Sequence, residues 1–224
     1  MTANCLGSGI YSFAEVAKLT GLSTGRVRAW FLGKPDRPGP VIHSDYTDRL
    51  PGWHVVSFLD LIDSLVVGRL RGEGLSLQYL RKIHEALIAE FQTQHPFSRK
   101  NLLTDGRRLF LEVARELGDE YLKEVLTRQH AFPEVLKPYL KQIDYDITTL
   151  LAMRWRISEG VVIDPQREFG KPIIDATGIP TAILAAAYKA NGEDQGIVGE
   201  WYGIDPQDVL LAVDFERGLA GRAA

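Results

Sequence analysis

The stretch "YSFAEVAKLTGLSTGRVRAWF", Tyr11 to Phe31, constrains the fold more than any other. Ser12 followed three residues later by Glu15 is a capping box ahead of an apolar run, and the spacing predicts a helix to about Thr20. Phe13, Val16 and Ala17 face inward on that helix, with Leu19 beside them. Gly21 supplies the positive φ of a tight turn. Ser23 then caps a second helix in which Val27, Trp30 and Phe31 share one face at i, i+3 and i+4. Arg26 and Arg28 have no place on that face and point outward. A short helix pair with a buried seam and two outward arginines is the geometry of a helix-turn-helix.

The offsets of this corner recur at the other end of the chain. Ala17, Gly21, Val27 and Trp30 stand at offsets matched by Gly199, Gly203, Val209 and Ala212. The surroundings differ in sign. Residues 1–41 hold five basic against two acidic side chains, +3, and residues 180–224 hold three against seven, −4. Phosphate attracts the first corner and repels the second, because duplex affinity comes largely from neutralising phosphate. The N-terminal corner is therefore read as a DNA reader, and the C-terminal one as a protein-binding or dimerising module.

Between the corners the signals alternate. "GKPDRPGP" excludes helix and central strand. "VIHSDY" and "WHVVSF" flank "TDRLPG" and are expected to form a short hairpin, a wing beside the helix pair. Ser57 with Asp60 opens a helix to about Arg71, and Ser76 caps another whose Leu80, Ile83, Leu87 and Phe91 make one apolar stripe. That stripe suits a monomer core and a dimer seam equally. "NLLTDGRRLFLE" holds a DG pair between β-prone residues and is expected to be a hairpin. "EVARELGDEYLKEVLTRQ" and "PEVLKPYLKQI" read as helices, the second interrupted by Pro138. "AMRWRIS" has strand alternation, with Met153, Trp155 and Ile157 opposite Arg154 and Arg156. "DPQREFGKPIIDATGIP" is turn-rich with a short β piece, and the tail from Thr181 is helical, with Asp205 capping its last helix. The fold class expected is mainly α with small β elements. It comprises an N-terminal winged helix-turn-helix over residues 1–95, a mixed α/β connecting or dimerising segment over 96–160, and a C-terminal helical helix-turn-helix-like module over 161–224.

Signatures of catalysis are missing from the sequence. "GLSTGR" lacks the lysine of a phosphate loop. His43, His54, His84, His95 and His130 form no close pair with metal spacing, and Cys5 is the single cysteine. Asp144 and Asp146 in "IDYD" share a side if extended, a common arrangement for plain surface carboxylates. No nucleophile elbow or H-E-x-x-H occurs. We expect no enzyme, no catalytic residues, no metal and no cofactor. The absence of an 18-residue apolar run or signal-like N-terminus, with one cysteine, leads us to expect a cytoplasmic protein without membrane contact.

The order of these segments carries a resemblance. The corner, the following turns and "SFLDLIDSLVVGRLRGEGLSLQYLRKI" resemble the MerR-like winged helix-turn-helix. With "HPF", "TDGRRLF", "RWRI", "DPQREFGKPIIDATGIPT" and "WYGIDPQDVLLAVDFE" in order, nearly the whole chain resembles VapB-type antitoxins that join such a domain to a small C-terminal module. Arg28 matches the arginine preceding the aromatic of the MerR-like recognition helix, whereas Ala29 stands where many such proteins have tyrosine. The cysteine motif of metal-responsive MerR proteins is not present. The resemblance implies an antitoxin of a type II pair that represses its own operon and silences a PIN-domain ribonuclease. The alternative is a stand-alone MerR-like regulator that answers to a small ligand.

Candidate DNA contacts are Thr24, Arg26 and Arg28 on the second helix, with Lys34, Arg37 and His43 reaching flanking phosphates. Arg217 and Arg222 are candidate toxin contacts, because a guanidinium pairs bidentately with the carboxylates of a ribonuclease metal site. The partners expected are operator duplex, a PIN-domain ribonuclease and a second copy of the chain, since one reading unit covers only a half-site.

Overall fold

The computed structural model describes residues 7–33, 39–103, 106–116, 118 and 131–222. It opens with β1 (Tyr11–Ser12), α1 (Phe13–Thr20) and α2 (Thr24–Leu32), then β2 (Val55–Val56), α3 (Phe58–Gly72) and α4 (Leu77–Phe91). Two short 3-10 turns (Pro96–Ser98, Lys100–Leu103) lead to α5 (Gly106–Glu116) and α6 (Ala131–Leu140). A meander of β3 (Ile143–Tyr145), β4 (Ala152–Ser158), β5 (Val161–Ile163) and β6 (Pro172–Ile174) follows, and α7 (Thr181–Ala190), α8 (Gln195–Tyr202) and α9 (Pro206–Arg222) close the chain. The architecture is mainly α with two small antiparallel sheets, β1–β2 and β3–β4–β5–β6.

α3 is the axis of the N-terminal half. Ser57 and Asp60 form a capping box at its start, and both ends of its apolar surface are covered, so that Phe58, Leu61, Ile62, Leu65, Val66, Val67 and Leu70 are all buried. α1 packs on α3 and α2 on α1; Val16, Ala17, Val27 and Trp30 join one buried cluster, to which α4 contributes Leu80, Ile83, Leu87 and Phe91. This α4 stripe is buried within the one chain, which decides between the two roles its spacing allowed.

Both αα corners are formed, by the same device. Gly21 and Gly203 sit in the left-handed region (φ 73° and 65°), and the following amides, of Leu22 and Ile204, donate to Ala17 (3.0 Å) and Gly199 (2.9 Å). This six-residue closure satisfies the last carbonyls of the first helix and swings the second across it. At Gly199 a Cβ would lie 3.0 Å from the Ile204 carbonyl oxygen, so the closer C-terminal corner has no room for a side chain there.

The two halves touch. Tyr11 Oη donates to the Gly170 carbonyl (2.8 Å), the Ile10 amide donates to that of Phe169 (3.3 Å), and α1 meets α9.

Two sequence expectations are corrected. The hairpin expected around "TDRLPG" is not formed: Val55 and Val56 pair antiparallel with Ser12 and Tyr11. The amides of Val41 and Ile42 instead donate back to the Trp30 carbonyl, and Tyr46 is buried with its Oη on the Gly9 carbonyl (2.6 Å). Residues 41–46 are thus tied back to α2 and to the segment before β1 rather than raised as a wing. The second hairpin, at "NLLTDGRRLFLE", is a 3-10 turn running into α5. There Phe110, Val113 and Ala114 are buried at helical spacing while Arg108 and Arg115 are exposed, and burying that face against α4 outweighs the DG turn signal. The strand expected at "AMRWRIS" is formed as β4; Trp155 is buried, and Met153 is 46% exposed where the register with β3 shifts, Asp144 pairing with Arg154 and Tyr145 with Ala152. Much of "EVARELGDEYLKEVLTRQ", the first of the two segments read as helices ahead of that strand, lies outside the described residues.

Candidate nucleic-acid and partner interfaces

α2 begins where the Ser23 hydroxyl accepts from the Arg26 amide, and it is fixed by burying Val27, Trp30 and Phe31. Phe31 also stacks on Phe13 at 5.6 Å between ring centroids. Thr24, Arg26 and Arg28 are all exposed, as expected. At 3.6 residues per turn the two arginines stand about 160° apart, one on each shoulder of the helix. Between them the outward ridge is Gly25, Ala29 and Leu32, small at two of its three positions. A helix with a low crest and a cation on each side can settle into a groove while reaching both strands. His43 is exposed on the following loop. Lys34 and Arg37 lie outside the described residues.

That loop is held by a polar cluster that the sequence reading missed. His95, whose side chain is 7% exposed, places Nε2 2.9 Å from Asp45 Oδ1 and Nδ1 3.1 Å from Asp63 Oδ2. Asp63 Oδ1 accepts from the Ser98 hydroxyl at 2.6 Å. Asp60 Oδ2 accepts from the amides of Ser57 (2.9 Å) and Asp45 (3.2 Å). Its Oδ1, 3.8 Å from His95 Nδ1, is buried and accepts no hydrogen bond among the described residues. The cluster ties the loop after α2, the first turns of α3 and the 95–98 turn together.

Its electrostatics follow from three carboxylates around one imidazole. Burial works against a charged His95, but hydrogen bonds to Asp45 and Asp63 and the charges of Asp63 and Asp60 outweigh it and push the pKa up to about 11. Burial pushes Asp60 up to about 7, against the attraction of His95. Burial also raises Asp45, but the His95 hydrogen bond and charge leave it below the ordinary carboxylate value. Asp45, Asp60 and His95 are separated by 15 and 35 residues, so no linear spacing announces them. The only local signal was the Ser57–Asp60 capping box.

The C-terminal candidates fare unevenly. Arg217 is exposed on α9, with Glu193 and Asp214 each 4.0 Å away, too loose to hold it. Arg222 ends α9, and its side chain lies outside the described residues. Asp144 and Asp146 are not paired for chemistry. Asp144 holds Arg154 and Arg156, both at 3.0 Å, and Asp146 accepts from Thr148 and Thr149 in its own turn. α8 presents Ile197, Trp201 and Tyr202 to solvent, with Trp201 68% exposed. A cleft of about 400 Å³ opens between α1 and the C-terminal part, lined by Tyr11, Leu19, Phe169, Ile183, Thr181 and Leu219 among others.

Comparison with known proteins bears on these surfaces. Residues 161–215, from β5 into α9, match the family described as "Protein of unknown function (DUF433)". The chain is 23% identical over 223 residues to the Mycobacterium tuberculosis protein named "Putative antitoxin VapB45", covering 92% of each. It also shares its fold with the crystal structure of Rv2018 from Mycobacterium tuberculosis. The TM-score is 0.73 and the identity 25%, over 91% of this chain and 96% of that one. Among the described residues no helix is long and apolar enough to cross a membrane.

Proposed function

We propose that this chain is the antitoxin of a toxin–antitoxin pair, without enzymatic activity of its own. The observation that carries this reading is its likeness, along 92% of both chains, to the protein named "Putative antitoxin VapB45". In this reading the N-terminal helix-turn-helix binds operator duplex and represses the operon. Arg26 and Arg28 contact phosphates from the two shoulders of α2, Thr24 lies at the groove edge, and Lys34 and Arg37 extend the contact along the backbone. Two copies bind two half-sites. The acidic C-terminal module, with Trp201 exposed on α8 and Arg217 and Arg222 on α9, engages the toxin, a PIN-domain ribonuclease.

The charge separation supports this division of labour. The basic corner suits phosphate, while Asp205, Asp208, Asp214 and Glu216 on the other keep it off DNA. A second reading, a regulator answering to a small ligand, draws on the cleft between α1 and the C-terminal part, whose volume is within the range of ligand sites.

Titration of fluorescent duplex from the region upstream of the gene, at several salt concentrations, tests the DNA assignment. Arg26→Ala and Arg28→Ala should each flatten log K against log salt by roughly 0.9. If both variants keep the parent's slope and affinity, α2 is not the reading helix.

A further inference from the structure

We propose that Asp45, Asp60 and His95 form a binding site for a first-row divalent cation such as Zn²⁺, with Asp63 as the residue that positions the imidazole. One donor atom from each of the three lies within 4.8 Å of the others. A tetrahedral zinc with bonds of about 2.0–2.2 Å needs donors some 3.4 Å apart. His95 Nε2 and Asp45 Oδ1, at 2.9 Å, flank that value from below. Rotation of the Asp45 side chain, which is 32% exposed, is enough to admit the ion.

Two further observations separate this group from an ordinary acidic cluster. Asp60 Oδ1 belongs to a side chain with no exposed surface and accepts no hydrogen bond among the described residues; its nearest charged neighbour is the His95 ring, 3.8 Å away at Nδ1, too far for a hydrogen bond. Such an atom normally finds a donor or a cation. The surroundings of His95 also have the layout of a metal-bound histidine. Nδ1 faces Asp63 at 3.1 Å, and Asp63 is itself held by Ser98 at 2.6 Å. A carboxylate on one imidazole nitrogen fixes the tautomer and turns the other nitrogen into a ligand. The donor set, one nitrogen and two carboxylates, favours zinc or manganese over the all-oxygen preference of magnesium and calcium. Asp45 is the entry side, because the other two ligands are buried. The ion replaces the proton shared by Nε2 and Asp45, and it clamps the loop after α2 onto α3.

The proposal does not depend on the antitoxin reading. Full-length protein freed of metal with a chelator is titrated with Zn²⁺ by calorimetry, with Mg²⁺ and Ca²⁺ as comparisons. One zinc per chain is expected, with no comparable uptake of Mg²⁺ or Ca²⁺. A hundredfold excess over Kd should raise Tm by about 5–10 °C. Asp45→Asn, on the exposed side, should keep the circular dichroism spectrum and lose the stoichiometric zinc. Asp63→Asn should weaken binding by about 10–100-fold. Co²⁺ substitution in the unaltered protein gives a readout independent of any variant: visible bands of nitrogen and oxygen ligation without thiolate charge transfer. Absence of saturable binding, unchanged zinc in Asp45→Asn, or thiolate bands from Cys5 would each overturn the proposal.

Discussion

Replacing His95 by glutamine, in chelator-containing buffer at pH 7, removes the cation hydrogen-bonded between Asp45 and Asp63 while keeping a polar side chain of similar length. Two of those carboxylates, Asp60 and Asp63, have no exposed surface, and the third is 32% exposed. The hydrogen bond to Asp63 at 3.1 Å is buried and charge-assisted, a class worth about 1.5–3 kcal/mol. The one to Asp45 is discounted toward the surface value of about 1 kcal/mol or less. Leaving Asp60 and Asp63 uncompensated brings the total into the range of about 3–5 kcal/mol found when one partner of a buried pair is removed. Urea unfolding followed by circular dichroism and by the buried Trp30 and Trp155 measures it. The thermal midpoint should fall by about 6–20 °C. Asp63→Asn should recover part of the loss in the double variant, with a coupling of about 2 kcal/mol. A loss below about 1 kcal/mol, or strict additivity, would refute the view that His95 is the charge that holds this cluster.

Other consequences can be checked separately. Metal-free protein should lose stability between about pH 7 and pH 11. A group whose folded pKa is raised stabilises fully below its unfolded value, and His95 releases that contribution as pH climbs from 6.5 to about 11. Asp60 acts in the same sense below about pH 7, whereas Asp45 and the buried His84, both with lowered pKa, oppose it on the acid side. Urea midpoints across pH should show the alkaline decline in the parent and a flatter limb in His95→Gln. Gly170→Ala should destabilise by about 2–3 kcal/mol, from its φ of 82° and from a Cβ that would collide with Tyr11 Oη. Tyr11→Phe should lose about 1 kcal/mol by removing the hydroxyl alone, and equal melting of Gly170→Ala and parent would contradict the clasp. Trp201→Ala should leave Tm within about 2 °C, as suits an exposed side chain, while weakening toxin capture at least tenfold. A large fall in Tm would instead make Trp201 a structural residue.

Local chemistry was legible and distant pairing was not. The capping box Ser12–Glu15, the left-handed Gly21 and the Val27–Trp30–Phe31 face determine a helix corner within 20 residues, and the same logic found Gly199, Gly203, Val209 and Ala212. "TDRLPG" misled because the partner of Val55–Val56 lies upstream of α1, and a two-residue pairing leaves no pattern. "TDG" misled because its turn signal is local, while the burial of Phe110 against Tyr79 is tertiary. Thr24, Arg26 and Arg28 were placed correctly as exposed, a property their helical phase dictates. The Asp45–Asp60–His95 cluster was hidden because α3 and the 95–98 turn bring its members together from three separate segments.

The most direct test of the central claim is a ribonuclease assay on the product of the neighbouring gene, purified alone and with equimolar full-length protein. The account predicts a stoichiometric complex in which metal-dependent RNA cleavage is abolished. Cleavage at an undiminished rate, with the two proteins eluting separately, would contradict it.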